Sequence, residues 1–335
     1  MATSQFNFYY SSDAGATGSI VINGLSGSLL NVLNKCLVEG YVGRTASGWT
    51  KPIADTGNVG IFKQGILSDG TNNGYLHVMD NGPGAGGAIE ARITGWENIT
   101  AFSTASGGVT GSGQYPTSTQ LAIGSGACIA RKSIAATSVQ RNWIVAADSR
   151  SVYMFIQSEG TTVYFGWMFG DIYSYKSSDQ GIDAYRQIII GRVTENSTDV
   201  NTAGRLDKQT IIGTVNTGHF ASRTYSGLAS GVTLSKHGDW TKSAGSGIFN
   251  GVVPFPNGPD GATYLSKIWI GENASSVLRG HMKGFWHWCH PVANITDQQI
   301  ISGSGTLAGR TFLAIKSTES LGVYIMETSN TIENN

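Results

Sequence analysis

The chain has 335 residues, in which 22 Lys and Arg are balanced by 22 Asp and Glu, and charged residues make up only 13%. A neutral, charge-poor chain lacks the cationic surplus that phosphate neutralisation requires, which excludes a free-standing nucleic-acid binder. Apolar residues at 40% and aromatics at 10% are enough to build a core, so the chain is not a disordered tail, and no apolar run approaches the ~20 residues of a membrane span, which argues against membrane insertion.

At the N-terminus, residues 1–23 alternate polar and apolar side chains and put Phe6, Phe8 and Tyr10 on one face. Residues 1–25 are therefore expected to form either a first strand or an extended arm reaching a neighbour. A helix follows. Leu29, Leu33, Cys36 and Leu37 share one stripe of the run from Leu29 to Glu39, Ser26 and Ser28 are N-cap candidates, and Gly40 is a natural stop. From Gly57 the pattern becomes strand, turn, strand: Val59–Lys63, Tyr75–Met79 and Ala88–Trp96 are expected strands. Asp69-Gly70 and Asn73-Gly74 supply turn chemistry between the first two. Residues 103–114 read as a loop, so the body at 26–335 could divide into two sub-domains joined near 103–118.

The centre is the most strongly β part. Trp143–Ala147, Ser151–Ile156 and Thr161–Trp167 recur at the spacing of an antiparallel meander. Further strands are expected at Arg186–Ile190, Gly231–Leu234, Leu265–Ile270, Arg310–Ile315 and Val323–Met326. Residues 194–230 and 239–262 are rich in Gly, Ser, Thr and Asn, and loops of that length in a compact domain usually carry function or contact a partner. The fold class expected is mainly β, an antiparallel sandwich or barrel-like body with one N-terminal α-helix and long Gly/Ser/Thr-rich loops.

Three widely spaced cysteines, Cys36, Cys128 and Cys289, imply no disulfide framework. Together with an N-terminal segment that has neither a basic nor an apolar leader region, they lead to the expectation of folding in a reducing cytoplasm. Chemistry candidates are few. The cluster Trp286-His287-Trp288-Cys289-His290, with His281 upstream, contains metal-ligand residue types. Its spacing fits no common zinc finger, so aromatic packing is the expectation and no metal or cofactor is assigned. On a strand, His287 and Cys289 would face one way and Trp286, Trp288 and His290 the other. Asp148 and Asp171 near strand ends have the residue type for glycoside hydrolysis, but Asp at a turn more often caps it. Gly82–Gly87 lacks the Lys-Ser/Thr and the helix of a phosphate loop and reads as a hairpin loop. No Gly-x-Ser-x-Gly elbow is present, so no catalytic residue is assigned. Of the tryptophans, Trp143, Trp167 and Trp269 sit in apolar strands and are expected in the core. Trp49, Trp96 and Trp240 lie beside loops and are the candidates for surface contact, including stacking on sugar faces.

Three segments carry a family resemblance. The first is Gly27–Tyr41 followed by Ala46-Ser47-Gly48-Trp49-Thr50-Lys51-Pro52. The second is Gly74–Gly82 followed by Glu90–Glu97. The third is Leu278-Arg279-Gly280-His281-Met282-Lys283-Gly284-Phe285-Trp286, then Leu307-Ala308-Gly309-Arg310-Thr311-Phe312-Leu313. Together they resemble virion structural proteins of tailed bacteriophages, with His77, Met79 and Met282-Lys283-Gly284 departing from the usual pattern. The resemblance implies a non-enzymatic component of the particle (capsid decoration, neck or tail), made in the host bacterial cytoplasm. Such a subunit would pack as a homo-oligomer against other virion proteins. A receptor- or glycan-binding appendage module, with a host glycan or receptor as partner, is the first alternative, and a glycan depolymerase the second.

Overall fold

The computed structural model describes residues 5–80, 87–103, 108–122, 128–158, 164–177, 179, 181–191, 218–228, 230–238, 259–273, 277–290, 295–316 and 323–329. Its first strands are β1 (Asn7–Tyr10), β2 (Thr50–Thr56), β3 (Val59–Lys63), β4 (Tyr75–Met79), β5 (Glu90–Trp96), β6 (Asn98–Ser103), β7 (Gly108–Ser112) and β8 (Ile129–Arg131). The central ones are β9 (Trp143–Ala147), β10 (Ser151–Ile156), β11 (Phe165–Asp171), β12 (Tyr173–Ser174), β13 (Gln187–Ile190), β14 (His219–Arg223) and β15 (Ser230–Gly238). β16 (Leu265–Glu272), β17 (Val277–Trp288), β18 (Ile300–Ser302), β19 (Thr311–Lys316) and β20 (Val323–Glu327) complete the set. Helix α1 (Ser28–Asn34) continues through a π-helical turn at Lys35–Glu39, and α2 (Ser118–Ala122) is a short helix.

All pairings between these strands are antiparallel. The large sheet runs in the order β1-β9-β10-β11-β13-β14-β15-β16-β17-β20-β19-β18, with β12 added on β17, and a second sheet runs β2-β3-β4-β5-β8. Because β1 and β18 stand at opposite ends of an open path, the body is not a closed barrel; the sandwich part of the expectation holds.

Side-chain alternation divides the strands into layers. On β9 and β10, Trp143, Val145, Ala147, Val152, Met154 and Ile156 face one core. That core is completed by α1 and by Phe62, Leu76, Val78, Ala91, Ile93, Cys128 and Ala130 of the smaller sheet. The alternate residues Ile144, Ala146, Tyr153 and Phe155 face a second core, shared with Ile268, Ile270, Met282, Phe285, Leu313, Tyr324 and Met326. The second half of the large sheet thus curls over the first. Tyr153 stacks on Phe285 at 5.6 Å, and Phe155 lies 5.2 Å from Tyr324. A strand covered on both faces must be apolar at every position, which is why β9 and β10 read as unbroken hydrophobic runs. Outside this arrangement, Trp286, Trp288, Phe312 and Ile325 form a third cluster with Ile295, Ile301 and Leu307.

β1 pairs with β9 in the register Asn7↔Ala147 to Tyr10↔Ile144, so the N-terminal segment is a strand here. Phe6, Phe8 and Tyr10 face the second core while Tyr9 faces the first. Helix α1 buries Leu29, Leu33, Cys36 and Leu37 as its periodicity predicts. Its N-terminus is capped differently, and neither Ser26 nor Ser28 serves. The Asp80 carboxylate, just past β4, accepts from the backbone N–H of Leu29 (2.8 Å) and Leu30 (3.2 Å). Lys132, following β8, pairs with the same carboxylate and donates to Leu25 O at 2.7 Å. A carboxylate suits the N-terminal end of a helix, where N–H groups lack intrahelical partners. Burial pushes the Asp80 carboxyl up and the Lys132 ammonium down, and each partner opposes that effect in the other. Gly40 ends the helix at φ 76°, where a Cβ would also stand 2.8 Å from Arg44 O.

Several boundaries shift. The expected strand at Ala88–Trp96 begins at Glu90, after a 3-10 turn at Gly87–Ile89. Residues 98–112 are not merely a loop: β6 and β7 pair as a hairpin whose Ile99, Phe102 and Val109 pack with Ile53, Ile61, Tyr75 and Trp96 on the outer face of the smaller sheet. The smaller sheet takes β8 from beyond that region. The expected strand at Thr161–Trp167 runs from Phe165 to Asp171, with 161–163 outside the described residues. β14 lies inside the stretch expected as a long loop at 194–230; residues 192–217, 239–258 and the glycine run at 81–86 fall outside the described residues. β17 is not among the expected strands; it pairs β16 along one edge on both sides of Met282–Gly284, while its other edge pairs β12 before Met282 and β20 after Gly284. Gly284 has φ 61°, and a Cβ there would stand 2.7 Å from Phe6 Cε2. Among the described residues no helix is long and apolar enough to cross a membrane.

Candidate functional site

Antiparallel pairing brings a set of chain reversals to one end of the molecule: β9–β10, β11–β13, β14–β15 and β16–β17. The β3–β4 connection is tied to the same end by Arg150, whose Nη1 donates to Gly65 O and Asn73 Oδ1, both at 2.7 Å. Four arginines gather there, and each is matched to carboxylates.

Arg150 uses every guanidinium hydrogen. Besides Gly65 and Asn73, it donates to Asn72 O (2.7 Å) and to both oxygens of Asp171 (3.0 and 3.2 Å). Arg186 joins Asp171 at 3.0 Å and Asp69 at 3.2 Å. Arg279, whose side chain is wholly buried, holds Asp183 and Glu272, each at 3.1 Å, and donates to the carbonyls of Arg223 and Tyr185. Arg223 binds Glu97 with two hydrogen bonds, 2.6 and 2.8 Å, and lies 4.5 Å from the centroid of the Tyr185 ring. Buried charges persist only when paired and hydrogen-bonded, and here four guanidinium groups meet five carboxylates. The Tyr115 phenol sits among these charges. Burial, reinforced by Asp171 and Glu97, pushes it well above its ordinary pKa, so it stays protonated.

Between these ion pairs lies a cleft of about 360 Å³, lined by Gly70, Asn72, Glu97, Asn98, Ser112, Ala184 and Tyr185. Its frame is fixed from behind. The Asn72 backbone donates to Ala184 O (2.9 Å) and its carbonyl accepts from Arg150 (2.7 Å) and Gln187 Nε2 (2.5 Å). Asn98 and Ser112 face each other across the β6–β7 hairpin and are exposed. Ile182 reaches toward Gly70 beside this opening.

The residues singled out from sequence are distributed otherwise. Trp49 and Trp96, expected at the surface, are 3% and 8% exposed. The Trp49 indole N–H donates to Asp148 O at 2.6 Å and its ring packs near Phe169; the Trp96 N–H donates to Thr94 Oγ1 at 3.0 Å. Both are core residues, because each indole has a buried acceptor within reach. Trp240 lies outside the described residues. Trp143 and Trp167 are buried as expected, whereas Trp269 is half-exposed.

Asp148 caps the β9–β10 turn through the N–H groups of Arg150 and Ser151, both at 2.7 Å, and pairs with Lys283 at 2.5 Å; Asp171 is held by the arginines above. His281 stacks on Tyr173 at 4.7 Å and hydrogen-bonds Tyr175 through Nδ1. His290 Nε2 accepts from the Tyr264 N–H at 2.7 Å. Trp286 and Trp288 face the outer cluster together, as alternation predicts. Among the described residues no three His, Cys, Asp or Glu side chains converge as a metal-ion cage.

Sequence reasoning missed the arginine cluster altogether. Its only signal was Arg or Asp beside a turn at successive strand ends, which is common and unspecific. Two of its members do lie in the segments that carry the family resemblance. Glu97 and Arg279 hold this end, while Asp80, from the same segments, caps α1. The chain matches no protein-family model, and a search of curated proteins returns no similar sequence.

Proposed function

We propose that this chain is a non-enzymatic structural subunit of a tailed-phage particle, packing against other virion proteins and further copies of itself. The observation that carries the reading is the surface around the arginine-tied end. Ile66, Ile182, Leu228 and Leu278, at 79, 51, 70 and 51% exposure, all lie in or beside its chain reversals. Large aliphatic side chains above a rigid, charge-locked frame suit an interface that becomes dry on assembly. The resemblance of the three sequence segments supports the same reading. Asp148 and Asp171, whose residue type would serve a depolymerase, are instead occupied in capping and ion pairing. Such a subunit would be held by burying ~1,200 Å² or more against its neighbours.

The test is to purify the intact particle through a density gradient and identify its proteins by mass spectrometry with copy-number standards. The chain is expected in multiple copies per particle, with cross-links from Lys176, beside Ile182, to a neighbour. Absence from intact particles would overturn the proposal.

A further inference from the structure

We infer that the cleft bounded by Asn72, Glu97, Asn98, Ser112 and Tyr185 is a binding site for a neutral glycan, whichever particle or assembly the chain serves. The first argument is electrostatic. Each of the four arginines at this end is committed to carboxylates, four guanidinium groups against five carboxylates within the cluster. A phosphate or uronate would find every guanidinium of the cluster already held by a carboxylate. The charge that reaches the cleft wall, Glu97, is already neutralised by two hydrogen bonds from Arg223.

The second argument is the chemistry of the lining. Asn98 and Ser112 offer an amide and a hydroxyl that both donate and accept, which is what vicinal sugar hydroxyls require, and Asn72, whose Nδ2 donates to Glu97 O at 3.5 Å, adds its side-chain carbonyl. Tyr185 adds an aromatic side chain steadied by the Arg223 guanidinium, and the apolar face of a pyranose packs on such a ring. The third argument is rigidity. Asn72 is held through its backbone by Arg150, Gln187 and Ala184, so binding orders little of the protein. At about 360 Å³ the cleft falls at the small end of ligand sites, which run from ~300 Å³, and it suits one or two sugar units rather than a long chain.

The site differs from the tryptophan platforms suggested by the sequence. Its contact residues are polar and scattered over β3–β4, β5–β7 and the segment before β13, a distribution no local motif announces.

The experiment uses the full chain and saturation-transfer NMR with lactose, cellobiose, maltose and N,N′-diacetylchitobiose as neutral probes, and 3′-sialyllactose and a uronate disaccharide as acidic ones. At least one neutral probe is expected to bind with a Kd on the order of 1 mM or tighter and the acidic probes more weakly, as a small open site predicts. Tyr185→Ala should then weaken binding about tenfold, an effect comparable to one well-formed aromatic contact. Because Tyr185 also touches Arg223, the exposed positions provide the independent arm. Asn98→Ala and Ser112→Ala should each weaken binding about threefold or more while leaving the circular dichroism spectrum and thermal midpoint unchanged. The inference is overturned if none of the neutral probes binds, if an acidic probe binds preferentially, or if binding is indifferent to Tyr185, Asn98 and Ser112. None of these results bears on whether the chain is part of a particle.

Discussion

Replacing Asp80 by Asn is the most direct probe of how the helix is fastened to the body. Asp80 and Lys132 side chains are both fully buried. The carboxylate receives two helix N–H groups, and the ammonium also reaches Leu25 O and Ser28 Oγ. The amide is nearly isosteric, so it creates no cavity; what it removes is the charge facing Lys132. A buried ammonium left without its counter-ion costs ~3–5 kcal/mol, a large share of the ~5–15 kcal/mol that holds a typical protein folded. Lys132→Met should cost a similar amount for the converse reason, by stranding the carboxylate. The double variant removes both charges and should be much closer to wild type than the two losses added together, giving a coupling of at least ~2 kcal/mol. Urea unfolding at pH 7, followed by far-ultraviolet circular dichroism and tryptophan fluorescence with a check that both transitions coincide, measures all four corners of the cycle. Native-state hydrogen exchange should also quicken at the Leu29 and Leu30 amides in Asp80→Asn. Single losses below ~1 kcal/mol, or losses that simply add, would refute the account of this cap.

Gly284→Ala should destabilise by ~1–3 kcal/mol, since φ 61° is costly for an L-residue and the new methyl would meet the Phe6 ring; the thermal midpoint reads this. Phe155→Ala should cost ~3–5 kcal/mol in urea titration, because it empties the space beside Phe285 and Tyr324 between two layers. Asp13 is pushed up by burial, but hydrogen bonds from Arg44, Tyr41 and the Tyr10 N–H outweigh that and hold its carboxyl below the ordinary 3.8. Its contribution is therefore complete above that value and lost as pH falls through the lowered native one. The stability gap between wild type and Asp13→Asn should narrow on acidification below pH 3.8, as acid-unfolding curves would record. Burial raises the Cys36 and Cys128 thiols far above their usual range, so neither should react with Ellman's reagent until the protein is unfolded.

What the sequence disclosed follows from how each residue is used. β9 and β10 were found with their observed ends because they are buried on both faces, so apolarity itself marks their limits. Helix α1 was legible from the stripe Leu29, Leu33, Cys36 and Leu37, but its cap was not. Asp80 is more than forty residues away in the chain, and nothing local joins it to the helix. β17 was hidden because Arg279, Gly280, Lys283 and Gly284 interrupt its pattern, each for a tertiary reason: two buried or half-buried ion pairs and a change of partner strand. The tryptophans misled for a related reason. Trp49 and Trp96 border turns in sequence, yet their N–H groups find acceptors inside, and proximity to a loop does not reveal which way an indole turns. The cleft was invisible because its walls come from separate strands and its polar residues are of the commonest kinds.

The curl that lays β16, β17, β19 and β20 over β9 to β11 also fixes the order in which the molecule can become water-tolerant on the ribosome. The strands that will form the middle layer emerge well before residues 265–326, and until those arrive Tyr153 and Phe155 lack Phe285 and Tyr324, although Phe6 already lies against Tyr153. A nascent chain halted before β16 would present a broad sticky face, inviting chaperones or proteases. Only a chain translated through β20 can therefore complete the core on that side.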